Sequence, residues 1–274
     1  MPKPDLMALT GGYRKTPVLQ IGAEIYCDTA LICRVIDRLY PANSVYPLEQ
    51  TAALGAAVHW TDTFLFKVSV AVAFQPKALA GSDLFSDQAA AAAFMADRAE
   101  LSKGSTELGI DLKIAVPYWT MHMQRLDAQL STADFLGGDQ PNVLDFSTYH
   151  CCWFVYKNEA LKPELEQFPA LAQWMLRIAG FGHGEIVSIN GEEAVAIARD
   201  SDIATAPKAT DFVDEQLSVG TSVDVMPIDY GFQPTQGELL LASTEEIVIK
   251  RVDERAGNVA VHFPRLGFQV NASQ

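Results

Sequence analysis

The chain has 274 residues, 49% of them hydrophobic and 20% charged, the balance of a globular protein long enough for a large core and more than one domain. Its formal charge of −14 opposes the phosphates of nucleic acid, and no basic stripe with interleaved aromatics offsets it. The first residues lack a basic segment followed by an apolar core, and no apolar run approaches the ~20 residues of a membrane span, so a soluble cytoplasmic protein is expected, with neither membrane nor nucleic acid as partner.

Residues 16–40, TPVLQIGAEIYCDTALICRVIDRLY, organise the chain. Pro17–Ile21 and Glu24–Cys27 read as two short strands joined at Gly22-Ala23. Asp28 or Thr29 caps a following helix, whose apolar face is Leu31, Ile32, Val35, Ile36 and Leu39 and whose end is marked by Pro41.

Three features occur here in one order: Lys15-Thr16-Pro17-Val18-Leu19 as a basic-X-Pro-Val-Leu motif, a tight hairpin, and the pair Asp28-Thr29. In this stretch the sequence resembles the glutathione S-transferase family, in the second half of its thioredoxin-like domain. The resemblance implies that Pro17 is cis, that Lys15 and Thr16 lie at a glutathione site, with the backbone of Thr16 meeting the cysteinyl part, and that Asp28 and Thr29 hold the γ-glutamyl end. A helix N-terminus offers N–H groups to a carboxylate, and an Asp meets the neighbouring ammonium.

In that family a βαβ unit precedes this region and carries a catalytic Ser, Tyr or Cys. Here PKPDLMALTGGYR reads as the helix and loop leading into the second half, so the resemblance implies that a βαβ unit is missing. Tyr13 does not match the catalytic position, and no catalytic residue is assigned. The strand Pro17–Ile21 would then expose an apolar edge unless another element covers it.

Residues 41–50 contain two prolines and read as a linker. Helices are expected over Thr51–Phe74, Asp87–Lys103 and Leu112–Ser131, the last kinked or restarted at Pro117. Trp60 and Phe64, on the first of these, correspond by resemblance to a second-substrate pocket, although packing between helices is the commoner role for such side chains. FLGGDQPNVLDFSTYH resembles the start of the central helix in the family's helical domain, with Asn142 and Asp145 as a structural, reciprocal cap. Another helix is expected over Pro169–Ala179, and a capping box at Asn190 and Glu193 opens a short one. Beyond residue 200, Ser222–Met226, Glu238–Ala242, Glu246–Val252, Asn258–Phe263 and Gly267–Val270 read as strands of a small barrel or sandwich, with a hairpin tip at Arg255-Ala256-Gly257. Residues 183–274 are acidic, with 15 Asp or Glu against 6 Lys or Arg.

The fold class is therefore α+β and multidomain: a partial thioredoxin-like α/β domain (1–40), a linker (41–50), an all-α domain resembling the helical half of glutathione transferases (51–182), and a short helix plus a small all-β domain (183–274). Cys27, Cys33, Cys151 and Cys152 form no CxxC, zinc spacing or secreted disulfide framework, and no metal is expected. Cys27 reads as a buried strand residue rather than a reactive thiol. The histidines form no motif, and Tyr13, Tyr230, Phe232 and residues 180–184 are candidates for a cleft.

The resemblance implies a homodimer that directs glutathione thiolate at a small electrophile, in the detoxification chemistry of a transferase. That activity is tied to a natural chain containing the βαβ unit, and isomerase or dehalogenase chemistry stays open within the family. The alternative is a non-catalytic binding or regulatory protein of the same fold that acts through its β tail.

Overall fold

The computed structural model describes residues 3–47, 51–79, 88–107, 109–207 and 217–273. The expected helix start at Asp87 and the end of the linker at 48–50 lie outside them. The chain forms two compact units, one from Met1–Ile36, Ala92–Thr106 and Val187–Gln274, the other from Asp37–Ala91 and Glu107–Ile186.

The first unit is built on a seven-stranded sheet. In chain order its elements are α1 (Pro4–Thr10), β1 (Val18–Ile21), β2 (Glu24–Cys27), the start of α2 (Thr29–Leu39), α11 (Gly191–Arg199), β3 (Ser222–Pro227), β4 (Thr235–Ala242), β5 (Glu246–Asp253), β6 (Gly257–Pro264) and β7 (Phe268–Ala272). The strand order is β1-β2-β6-β5-β4-β3-β7. Only the β2–β6 pair is parallel, with Glu24, Ile25 and Tyr26 opposite Ala260, Val261 and His262. The strands read from the sequence as a separate barrel or sandwich thus continue the N-terminal hairpin instead of closing on themselves. The physical reason is the open edge of β2, whose Ile25 and Cys27 are fully buried and whose backbone groups need partners. β1 remains an edge strand of this sheet.

Period-2 alternation sorts the sheet into two faces. On one, Ile25, Cys27, Val223, Val225, Leu239, Ile247, Ile249, Val259, Val261 and Phe263 form a core with Ala8 and Leu9 of α1 and Val195 and Ala198 of α11. On the other, Leu240, Val248 and Ala260 pack with Ile203 and Leu241. Beside this small cluster lies a buried polar group. His262 places one ring nitrogen against Glu24 and the other 2.7 Å from Glu246, while Glu24 accepts from the amides of Ala204 and Thr205 and from the Thr205 hydroxyl. Tyr26 stacks on the imidazole at 4.2 Å. Three strands and the segment after α11 therefore meet at His262, a residue that belongs to no sequence motif.

The second unit is helical. α3 (Thr51–Trp60) passes through a π-helical stretch, Thr61–Leu65, into α4 (Phe66–Ala73); α7 (Leu112–Leu130) and α8 (Val143–Tyr156) pack on α4, and α10 (Pro169–Ala179) packs on α7 and α8. Short helices α5 (Pro76–Leu79) and α9 (Lys162–Glu166) lie between these, while α6 (Gln88–Leu101) crosses from this unit into the first. The core joins Leu65, Val68, Val72, Trp119, Met123, Cys151, Cys152, Leu171 and Trp174. α7 runs through Pro117 without a break, because only the bond to the Lys113 carbonyl is forfeited near the helix start. Asn142 and Asp145 form a reciprocal capping box at α8. Asp145, with no exposed surface, accepts from the amides of Leu136 and Asn142 and from the Trp174 indole N–H, so it ties a loop, a helix start and α10 together.

Candidate functional site

The hairpin register places the proposed binding residues side by side. Val18 pairs with Cys27, so Pro17 and Asp28 each lie one residue beyond the same pair. The Thr16–Pro17 bond is cis, and Thr16, Pro17 and Thr29 are exposed. Asp28 sits at φ 77°, among the described residues the only non-glycine in the left-handed region, and its Oδ1 accepts from the amide of Ala30 at 2.9 Å. An Asp tolerates that backbone better than most side chains, but residues held there cluster at functional sites. The residue is half-buried, and burial raises its pKa; the Ala30 bond and Lys15 oppose the rise, and Asp229 adds to it.

Lys15 completes the group from the chain just before the cis bond. Its ammonium lies 2.7 and 2.9 Å from the two Asp229 oxygens and 3.7 Å from the centre of the Tyr230 ring. Burial lowers the Lys15 pKa, and the Asp229 carboxylate opposes that shift. The Tyr230 phenol is pushed up to about 12, first by burial and then by Asp229 and Asp28. A cleft of about 350 Å³ adjoins Lys15, lined among others by Tyr13, Arg14, Leu101, Lys103 and Phe232.

Of the other sequence candidates, Tyr13 and Phe232 line this cleft, and the rest fall elsewhere. Tyr13 is 5% exposed and packs edge-on to Phe263 at 6.1 Å, and burial holds its phenol well above the ordinary value. Cys27 is fully buried, which pushes its thiol well up, so it is a core group and not a nucleophile. Residues 180–184 belong to the helical unit and are exposed there. In that unit Trp60 stacks on Phe64 at 5.6 Å, His122 lies 5.0 Å from Trp60, and Tyr118 meets Phe64 edge-on at 5.4 Å. Trp60 keeps 39% of its surface and Tyr118 44%, so this cluster on the π-helical stretch and α7 is available to an apolar ligand. Burial, with a smaller contribution from Arg125, brings His122 down to about 4 and leaves it neutral near pH 7.

Tyr230 and Phe232 were read as cleft candidates, but Asp229 and Tyr230 were missed as partners of Lys15 because 214 residues separate the Asp from the Lys. The Glu24–His262–Glu246 group escaped for the same reason. Among the described residues no cluster of His, Cys, Asp and Glu is arranged to hold a metal ion.

Residues 1–44 match the family described as "Glutathione S-transferase, N-terminal domain". No curated protein matches the chain. Among solved structures, a GST-like protein from Pseudomonas syringae is 37% identical over 100% of this chain and 87% of its own, with a TM-score of 0.82. More distant are the β-etherase LigF from Sphingobium sp. strain SYK-6 (18% identity, 60% of this chain and 74% of its own, TM-score 0.42) and a glutathione S-transferase from Actinobacillus pleuropneumoniae (15%, 64% and 68%, 0.41). The match across the whole chain at 37% identity decides the matter: the protein belongs to the glutathione S-transferase family.

Proposed function

We propose that the protein binds glutathione at Asp28, Thr29 and the cis Thr16–Pro17 backbone, beside Lys15, and directs its sulfur at a small electrophile. The observation that carries this reading is Asp28, held in a left-handed backbone at the start of α2 one residue beyond the strand pair that also positions Pro17. The first turn of α2 supplies N–H groups and partial positive charge for the γ-glutamyl carboxylate, and the Asp28 carboxylate receives the ammonium. Thr16 is exposed, and its backbone is the group this reading gives to the cysteinyl amide. In transfer, the glutathione thiolate forms a C–S bond with the electrophile as the leaving group departs with the bonding electron pair; the chain's part is to hold and orient the peptide. Within the helical unit, the Trp60–Phe64–Tyr118 cluster is a surface that suits an aromatic or apolar ligand. The family resemblance favours a cytoplasmic homodimer with a detoxifying role.

A second reading, a binding or regulatory protein acting through its tail, is favoured by one contact: Asp229, from the connection between β3 and β4, engages Lys15 directly. Calorimetry with glutathione tests the binding site under either reading. Asp28→Ala is expected to weaken binding about tenfold or more, while Asn142→Ala, a cap in the helical unit, stays within about twofold of wild type. Equal affinity in wild type and Asp28→Ala removes the proposed role.

A further inference from the structure

The geometry points to Asp229 as the residue that sets which end of a thiol peptide this site recognises: it supplies Lys15 with a built-in carboxylate, so that the site reads the γ-glutamyl end and is indifferent to the glycyl carboxylate. The inference rests on the glutathione reading above and concerns the same site.

Glutathione carries two carboxylates and one ammonium. The start of α2 with Asp28 matches one carboxylate and the ammonium. The remaining carboxylate calls for a cation, and Lys15, the residue two before the cis proline, is the cation of the motif. Its charge is already answered. Both Asp229 oxygens lie within 2.9 Å of its ammonium, and the Tyr230 ring covers another side at 3.7 Å.

The segment carrying these two residues is fixed by its own bonds. The Asp229 carbonyl accepts from the Ser105 hydroxyl at 2.6 Å, the Gly231 amide donates to the Leu101 carbonyl at 2.9 Å, and the Tyr230 amide donates to Asp229 Oδ1 at 2.7 Å. Lys15 keeps 14% of its side-chain surface and Asp229 41%, so the pair is half-shielded from solvent, and a ligand carboxylate would have to displace Asp229 from an oriented, two-oxygen contact. The exchange swaps one carboxylate for another and gains little. Asp229 and Asp28 both act on Lys15, while Arg14, Lys103 and Glu100 line the adjoining cleft, so it is the Lys15 ammonium itself that offers little to a second anion. The ligand class is thus a γ-glutamyl thiol whose far end is free to vary: glutathione, its glycyl esters or amides, and γ-glutamylcysteine.

Calorimetry with glutathione and with glutathione glycyl monoethyl ester, on wild type, Asp229→Asn and Asp229→Ser, tests this. Wild type is expected to bind both ligands within about twofold of each other, whereas each variant, with Lys15 released, binds glutathione about tenfold tighter and the ester unchanged. The neutral Asn keeps the size of Asp, and the Ser variant guards against a local failure of the loop, with the melting temperature measured for each. A wild-type preference for glutathione that survives unchanged in both variants overturns the inference while leaving the glutathione reading intact. Equal loss of both ligands in the variants overturns it too, because Asp229 would then only shape the loop. If neither ligand binds any form, the glutathione reading itself fails, and this inference with it.

Discussion

Asp28 and Asp145 show how two carboxylates on helix starts come to different roles. Asp145 is wholly buried with three N–H partners, all from its own unit, and has no face left for a ligand. Asp28 is half-buried with one backbone partner, the amide of Ala30, in a conformation that costs energy. The former is structural, and replacing it strands three buried donors. Asp145→Ala is expected to lose about 3 kcal/mol or more of unfolding free energy in urea titration, against about 1 kcal/mol for Asn142→Ala, which loses a single cap bond. A loss at Asp145 no larger than at Asn142 would contradict its three-way role. Residues such as these were legible in the sequence because their partners are local: Asn142 and Asp145 are three apart, and Lys15 to Thr29 lie in one hairpin. Asp229 was not, since nothing near it in the chain names Lys15 as its partner.

At the scale of elements, helices with caps and strands with turn punctuation declare themselves locally. Asn190 and Glu193 open α11 in a capping box, and the β5–β6 hairpin turns where Arg255-Ala256-Gly257 stands, with Gly257 at φ 69°. Pairing between β2 and β6 was hidden, because period-2 alternation shows that a strand has a buried face but not which strand lies beside it. That junction carries a pH signature. His262 on β6 lies between Glu24 on β2 and Glu246 on β5, and its pKa is raised despite burial, which acts the other way, because both carboxylates favour the imidazolium. Glu24 is held down to about 2, where bonds from His262 and Thr205 outweigh its burial. A raised His pKa means that its stabilising contribution is complete below the ordinary 6.5 and is lost as pH rises through the folded value; a lowered Glu pKa means a contribution complete above the ordinary 4.5 and lost as pH falls toward about 2. The junction is therefore strongest between these limits. Urea midpoints measured from pH 4 to 9 should decline on the alkaline side in wild type, and His262→Gln should flatten that decline. An unchanged alkaline slope in the variant would show that His262 is not the titrating group.

For the molecule as a whole, the α+β class and the family membership were legible from a few motifs, and the match to the Pseudomonas syringae protein across the full chain agrees with them. Less legible was how the chain partitions. The first unit gathers three separate stretches, 1–36, 92–106 and 187–274, because one sheet recruits strands from both ends of the sequence. Composition shifts along a chain mark contiguous blocks, and a long-range sheet has no such mark. This arrangement also brings a tail residue to the motif lysine, which makes the tail part of the proposed site.

The most direct measurement is the backbone amide spectrum of the protein titrated with S-methylglutathione, which keeps the peptide while blocking the thiol. Saturable shifts concentrated at Thr16, Val18, Thr29 and Ala30, and absent from the amides around Asn142, are the expected result. A titration that leaves the hairpin and the start of α2 unmoved, or that shifts only residues of the helical unit, would contradict the assignment of this site to glutathione.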